Sequence, residues 1–382
     1  MPDLSPLSAS VISRRTLLLG IPATALLLAG CTATSTSTSS ASATATATAT
    51  PTATATTSSS STDVVALAQA FKATLSSDLQ STLQQEYTLS NAERWSNLPQ
   101  ALIGGGPGGS SSSSRIGITL GDLDDTQWAS FQTLLQATTG SGSGTGYEEI
   151  LQHLNADDYL ADNGGGSSYG RENFYIAYLG EPSDTGTWEF QFGGHHLAVA
   201  NTYIDGVLVG ATPSFRGIEP NGDFTWDGET DHPMAAKEAA FTALLASLSS
   251  DQLATAELSK TYTDLVLAPG NEWAFPSTYE GIAGSALSTD QKELLLAAIN
   301  GYVSDIADAD AARILAEYEA DLDTTYLAYS GTTALTEKND YIRIAGPAVW
   351  IEFSMQSGIV LSGNHPHSVW RDRNTDYGGT QS

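Results

Sequence analysis

An α+β fold follows from three features of the sequence. Apolar residues recur at helical spacing in some stretches and fill short β-type runs in others, the two kinds fall in separate blocks, and the helix-then-strand order occurs twice. Taken in order, Val64, Leu67, Ala68, Phe71, Leu75, Leu79 and Leu83 share one helical face and predict an amphipathic first helix. Runs at 174–179, 188–192, 197–204 and 207–211 predict an antiparallel meander, with Asp205-Gly206 as the hairpin turn between the last two. Further stripes at Phe241, Leu244, Leu245 and Leu248, at Leu294, Leu295, Ala298, Ile299 and Tyr302, and at Ile314, Leu315 and Tyr318 predict later helices. Each reads as core rather than as a cofactor face.

The two blocks can be laid over one another. Leu123-Asp124-Asp125-Thr126-Gln127 resembles Leu287-Ser288-Thr289-Asp290-Gln291, Tyr175-Ile176-Ala177-Tyr178-Leu179-Gly180 resembles Tyr326-Leu327-Ala328-Tyr329-Ser330-Gly331, and Glu189-Phe190 resembles Glu352-Phe353. The offsets of 164, 151 and 163 imply loops of different length. The expected architecture is two weakly similar helix-plus-antiparallel-sheet repeats, roughly 115–230 and 280–378, packed as one body about a pseudo-twofold axis within 63–382.

The N-terminus predicts a compartment. Ser13-Arg14-Arg15-Thr16-Leu17-Leu18-Leu19 is a twin-arginine pattern, and the apolar run at 17–29 ends in Leu28-Ala29-Gly30-Cys31, a lipobox. Residues 1–30 therefore read as a twin-arginine lipoprotein signal peptide, for export in the folded state, with Cys31 as the attachment point for lipid, palmitate included. The apolar run is shorter than the roughly 20 residues a span needs and is interrupted by Pro22. Residues 31–62, rich in Ser, Thr and Ala, lack the apolar surface to offset ordering entropy and read as a tether. The expected location is the extracytoplasmic face of the bacterial cytoplasmic membrane, with the membrane reached through Cys31.

Charge and cysteine usage exclude several functions. With 43 Asp+Glu against 15 Lys+Arg the net charge is −28, and −29 once a signal carrying Asp3, Arg14 and Arg15 is removed, which argues against nucleic acid as a partner. Charged residues are only 15% of the chain, so the acidity reflects missing bases rather than a salt-adapted surface. Lipidation of the single cysteine leaves no thiol for a disulfide, a cysteine zinc site or a nucleophile. Gly104, Gly106 and Gly109 match G-x-G-x-x-G but lack the flanking strand and helix of a phosphate cradle. Gly166-Ser167-Ser168-Tyr169-Gly170 matches G-x-S-x-G but leads from helix to strand, the reverse of a nucleophile elbow.

Four of the six histidines stand in two groups, His195-His196 after Gly193-Gly194 and His365-Pro366-His367 after Asn364, each closing the strand region of one expected repeat. Neutral imidazole is the commonest protein ligand for zinc, copper and iron. In extended chain His365 and His367 point the same way, and Pro366 biases His365 toward that conformation. Adjacent His195 and His196 point oppositely in a regular strand, so one of them is expected to bind unless Gly193-Gly194 introduces a bulge that turns both inward. The competing reading is a set of satisfied structural histidines. Glu352, flanked by apolar residues, is a candidate carboxylate ligand. Arg343 and Arg371 are candidates for a substrate carboxylate, against structural ion pairs with Asp372 or Glu352. His153 and His232 read as surface.

At these residues the chain resembles domain-of-unknown-function family 3500. The matching pieces are Arg94-Trp95-Ser96-Asn97-Leu98-Pro99, Leu120-Gly121-Asp122-Leu123, Gly193-Gly194-His195-His196-Leu197, Thr212-Pro213-Ser214-Phe215 with Glu219-Pro220, Arg343-Ile344-Ala345-Gly346-Pro347, Ile351-Glu352-Phe353, and Asn364 through Asp372 with Asp376-Tyr377-Gly378. The resemblance implies one site containing both histidine groups, Glu352 and Arg371, and implies no particular reaction. The chain departs from the family pattern at Pro366 and Arg373. The expected function is an envelope metalloprotein with a divalent ion (zinc, copper or iron) acting as a hydrolase on an unknown small molecule; the alternative is a solute- or metal-binding lipoprotein without catalysis.

Overall fold

Helices come first in each half of the chain and strands follow. In the computed structural model, which describes residues 60–103 and 115–379, the first half runs α1 (Ser60–Thr74), α2 (Ser77–Leu83), β1 (Gln84–Gln85), α3 (Leu89–Ala92), β2 (Ile118–Thr119), α4 (Asp125–Thr138) and α5 (Gly146–Leu160). Strands β3 (Tyr175–Leu179), β4 (Thr187–Gly194), β5 (Leu197–Ile204), β6 (Val207–Gly210) and β7 (Ser214–Gly217) complete it. A hairpin of β8 (Phe224–Trp226) and β9 (Glu229–Asp231) leads into the second half. There α6 (Ala235–Ala246), α7 (Ser250–Ala256), β10 (Ile282–Ala283), α8 (Thr289–Val303) and α9 (Asp308–Ala320) precede β11 (Tyr326–Ser330), β12 (Tyr341–Ala345), β13 (Val349–Ser357) and β14 (Asn364–Asp372).

The fold is α+β, built on a 12-stranded mixed sheet ordered β1-β3-β4-β5-β7-β14-β13-β12-β11-β10, with β2 also on β3 and β6 on β5. Among the described strands only β1 runs parallel to its neighbour, β3. The halves join at the antiparallel β7–β14 pair, where Gly217 faces His367 and Ser214 faces Trp370. Among the described residues no helix is long and apolar enough to cross a membrane. The expected signal peptide, Cys31, the tether up to residue 59 and the Gly/Ser loop 104–114 lie outside the described residues; α1 takes up the last three residues assigned to the tether.

Local chemistry accounts for most boundaries. The expected first helix is two, because Ser76 adopts an extended conformation and its side chain accepts from the Leu79 N–H, capping α2 afresh. Helices α4 and α8 both open on capping boxes, Asp124 with Gln127 and Ser288 with Gln291. Asp205 and Gly206, at φ of 49° and 76°, make the left-handed two-residue turn that a β5–β6 hairpin requires. The pairing of Glu189-Phe190 with Glu352-Phe353 does not carry over to the sheet. Glu189 stands on the second strand of its run, β4, and Glu352 on the third, β13.

One face of the sheet packs on the helices. Phe71, Phe131, Phe190, Phe192, Tyr302, Ile351 and Phe353 meet there in the main core, each contributing about 1.5–3 kcal/mol by leaving water. The opposite face is covered by two irregular stretches, 86–103 with 115–117 over the first half and 257–281 over the second. Trp95 of the first packs on Ala198, Phe215, Val369 and Tyr377, and Leu267 of the second on Trp350. Alternation along β13 places Glu352 and Ser354 on this covered face, which is also the face of the histidines.

Candidate metal centre

Strand geometry delivers two of the imidazoles. His365 and His367 stand opposite Gln356 and Ser354 on β13, so both rings leave the same side of β14. Pro366 between them needs no donor toward β7, and its carbonyl instead accepts from the Ile218 N–H at 3.2 Å. His196 comes from the two-residue turn between β4 and β5 with φ of 62°, a conformation rare for a residue bearing a Cβ. Its N–H donates to Asn97 O at 3.1 Å and its carbonyl accepts from the Gly217 N–H at 2.8 Å. The ring has room because position 217 is glycine: a Cβ there would lie 3.1 Å from the His196 ring.

The three rings converge through Nε2. His367 Nε2 is 3.2 Å from His365 Nε2 and 3.3 Å from His196 Nε2, and the ligating atoms of all three lie within 4.8 Å of one another. A ring nitrogen carries one hydrogen or one lone pair, so His367 Nε2 cannot satisfy both neighbours by hydrogen bonding. A cation at the centre satisfies all three. Zinc–nitrogen bonds of about 2.0–2.1 Å in a tetrahedron place nitrogens about 3.3–3.4 Å apart. Burial, helped by the surrounding imidazoles, depresses the His365 pKa to about 3 and holds His196 well below the usual histidine range. Both rings are therefore neutral, the form that binds metal.

The two segments that meet here, Gly193-Gly194-His195-His196-Leu197 and the stretch from Asn364 to Asp372, are the most distinctive pieces of the sequence. The model of a protein family of unknown function, DUF3500, matches residues 57–379. The chain belongs to the DUF3500 family. No curated protein and no solved structure matches it.

The remaining candidates of this DUF3500 chain fall outside the triad. His195 stacks on His196 with ring centroids 3.7 Å apart, but its Nδ1 is 2.6 Å from Asp157 Oδ1, which turns it toward α5. Glu352 is not brought to the imidazoles. Its carboxylate accepts from the N–H groups of Val266 and Leu267 at 2.9 and 3.0 Å and from the Tyr341 hydroxyl at 2.7 Å, so its lone pairs are used in fastening 257–281. Arg343 and Arg371 are structural rather than open to a ligand. Arg343 pairs with Glu280 at 2.7 Å between the rings of Tyr262 and Trp350, and Arg371 pairs with Asp376 at 2.7 Å and Glu272 at 2.5 Å. These partners are not the Asp372 and Glu352 weighed from sequence.

His153 is buried, not on the surface. Its Nδ1 donates to Glu149 O at 2.8 Å, and burial, then the charge of Arg216, pushes its pKa down to about 3. His232 is half-buried and lies 3.1 Å from Asp223. The G-x-S-x-G stretch does lie between α5 and β3, as expected of a loop.

Sequence reasoning missed Asp264, whose Oδ1 is 3.3 Å from His367 Nδ1. Burial raises its pKa, but the hydrogen bond and charge of His367 outweigh that and leave it lowered. A carboxylate on the far nitrogen of a ligand imidazole orients the ring and strengthens it as a donor to metal. It went unseen because 257–281 has no periodicity to reveal which side chains turn inward. Asp157 was legible in principle. It falls three residues after Leu154 on the apolar face of α5, where a carboxylate needs a partner. The same face carries Glu149, which joins Lys237, Asp305 and Arg216 in a buried charge cluster on the helix side of the sheet.

Proposed function

We propose that this protein is a lipid-anchored envelope metalloprotein that holds one divalent transition ion, zinc, copper or iron, through His196, His365 and His367 and acts as a hydrolase. The observation that carries the reading is the meeting of three Nε2 atoms at 3.2 and 3.3 Å. Among the described residues the group offers three ligands. The nearby carboxylates Asp157, Asp264 and Glu352 are each engaged with another group. A fourth position left to solvent favours catalysis over closed storage, since a water on such an ion has a pKa near neutrality.

The two halves are read as diverged copies about a pseudo-twofold axis through the β7–β14 seam. Three observations support it: the recurring element order, the strand order running outward from that seam, and the paired capping boxes. Gly117 and Gly281 add a fourth, as each has a left-handed φ (98° and 103°) and a Cβ would overlap the carbonyl of Ile176 or of Leu327. The triad then takes one ligand from the first copy and two from the second. Export through the twin-arginine route, with Cys31 lipidated, places it outside the cytoplasmic membrane.

Elemental analysis of the purified protein tests the centre. About one equivalent of metal is expected in the parent and less than a tenth in His196→Ala or His365→Ala. A parent without metal after reconstitution with zinc, copper, iron and manganese in turn overturns the reading.

A further inference from the structure

A cleft of about 390 Å³ opens beside α5, bounded by the C-terminal end of that helix, by the 169–172 stretch and by β8. That volume suits a small organic ligand. The inner wall backs onto the imidazoles, since Tyr169 stands edge-on to His195 with ring centroids 4.9 Å apart. Trp226, half-buried, supplies a second aromatic surface.

The charges around the cleft are of two kinds. Arg171 and Asp158 are spent on each other. Asp158 accepts from the Arg171 backbone N–H at 2.7 Å and from its Nε at 2.5 Å, and the Arg171 Nη2 donates to Asn155 Oδ1 at 2.7 Å. Asp162 and Glu172, by contrast, are exposed and make no hydrogen bond or ion pair among the described residues. The lining therefore carries a net of two negative charges, with no cation of its own left to meet them. Tyr169 adds a polar atom from within. It is 8% exposed, and its hydroxyl has no hydrogen-bond partner among the described residues. Burial, then the charges of Glu219 and Asp157, push its pKa up to about 12, so the hydroxyl stays protonated and can accept a hydrogen bond as well as donate one.

A bare acidic rim would take any cation, and the aromatic rings narrow the choice. Hard divalent ions want a cage of oxygens at about 2.3–2.6 Å, which two carboxylates on separate segments and an indole do not make. An ammonium on a hydrocarbon chain suits both parts of the cleft. Its methylenes and its charge are attracted to the indole face, and its N–H groups reach carboxylate and hydroxyl oxygens.

We propose that this cleft binds a small diamine, its hydrocarbon on Trp226 and its ammonium groups shared among Asp162, Glu172 and the Tyr169 hydroxyl. Two positive charges match the two negative charges that the lining leaves open. The proposal is independent of the metal centre, which lies beyond Tyr169 and His195.

Putrescine dihydrochloride is the probe, titrated calorimetrically into the purified protein at constant ionic strength. Calcium chloride carries the same charge without the hydrocarbon, and butanediol the same chain without the charge. A saturable heat is expected with putrescine and with neither control. Asp162→Asn and Glu172→Gln disturb no polar contact among the described residues. In proteins of parental circular dichroism each should weaken the apparent Kd about fivefold, near the upper limit for an exposed ion pair. Trp226→Leu keeps an apolar contact, removes the π face and should weaken binding about threefold. No saturable heat, calcium competing as well as the diamine, or parental affinity in both carboxylate variants overturns the proposal. Titration after chelator treatment separates it from the metal reading: unchanged binding supports the cleft, whereas lost binding places the amine on the ion and overturns the proposal.

Discussion

The two stretches that cover the histidine face of the sheet are fastened in opposite ways. Over the second half, 257–281 is held by buried charge with matched partners: Glu352 to two backbone N–H groups, Arg343 to Glu280, Arg371 to Glu272 and Asp376. Over the first half, hydrogen bonds that involve no carboxylate tie 86–103 down. The Trp95 indole N–H donates to the Tyr377 hydroxyl at 2.9 Å, the Gln191 amide donates to Ala92 O at 2.7 Å, and Arg115 reaches only carbonyls. The lesson is that paired buried charge makes a clamp in which each partner depends on the other. Asp264 rides on the clamped stretch, 3.3 Å from the His367 Nδ1 that it steadies.

The sharpest way to break this contrast is to remove one arginine that fastens each stretch. Arg371→Ala strands Asp376 and Glu272 in the interior and should cost about 3–5 kcal/mol. Arg115→Ala leaves carbonyls short of a donor but no orphaned charge, and should cost about 1–2 kcal/mol. Urea midpoints at constant m-value measure both. Equal losses would mean that the paired arginine and the carbonyl-bound arginine do the same work.

How much of this was legible beforehand follows the same line. His365 and His367 could be read from an i, i+2 rule because β14 is a regular strand, and the helical stripes of α6, α8 and α9 declared themselves by period. The choice of His196 over His195 could not be read, because it depends on one left-handed φ in a turn and on the contact with Asp157. Glu352 reads from sequence as a buried carboxylate wanting a partner, yet besides the Tyr341 hydroxyl its partners are backbone N–H groups 85 and 86 residues away, which no residue type announces. The fates of Arg343 and Arg371 were hidden for the same reason. Glu280 and Glu272 sit in irregular chain whose inward side chains carry no pattern.

The buried glutamates of the two halves offer a second, smaller contrast. Glu189, under the looser stretch, accepts from the Gln191 amide at 2.7 Å and the Thr202 hydroxyl at 2.9 Å, and burial pushes its pKa up to about 7. The folded state therefore holds a proton that the unfolded chain releases near 4.5. The stabilisation is complete below that value, falls as pH rises between the two, and is gone above about 7. Glu189→Gln keeps a neutral hydrogen-bonding group in place and should remove that slope. Relative to the parent, the variant should gain up to about 3 kcal/mol between pH 4.5 and pH 8. Denaturation curves at the two pH values decide it, and a parallel pH dependence in parent and variant would mean that Glu189 is ionised when folded.

The smallest effect isolates the steadying of the triad. Asp264 and Asp157 are both carboxylates on histidine Nδ1 atoms, but only the first serves a ring of the converging group. Asp264→Asn keeps the shape and removes the charge that makes His367 a better donor, so metal affinity should fall about 10–100-fold with the fold intact. Asp157→Asn acts on His195 and on the Gly170 N–H bond, and should leave affinity within about twofold of the parent, since no ligand ring is reoriented. Competition against a chromogenic chelator measures both. If the order reverses, His195 is the ligand and the left-handed His196 a by-product of the turn. If both fall alike, the stacked pair acts as one unit, and the clamped stretch loses its claim to be the half that orders the site.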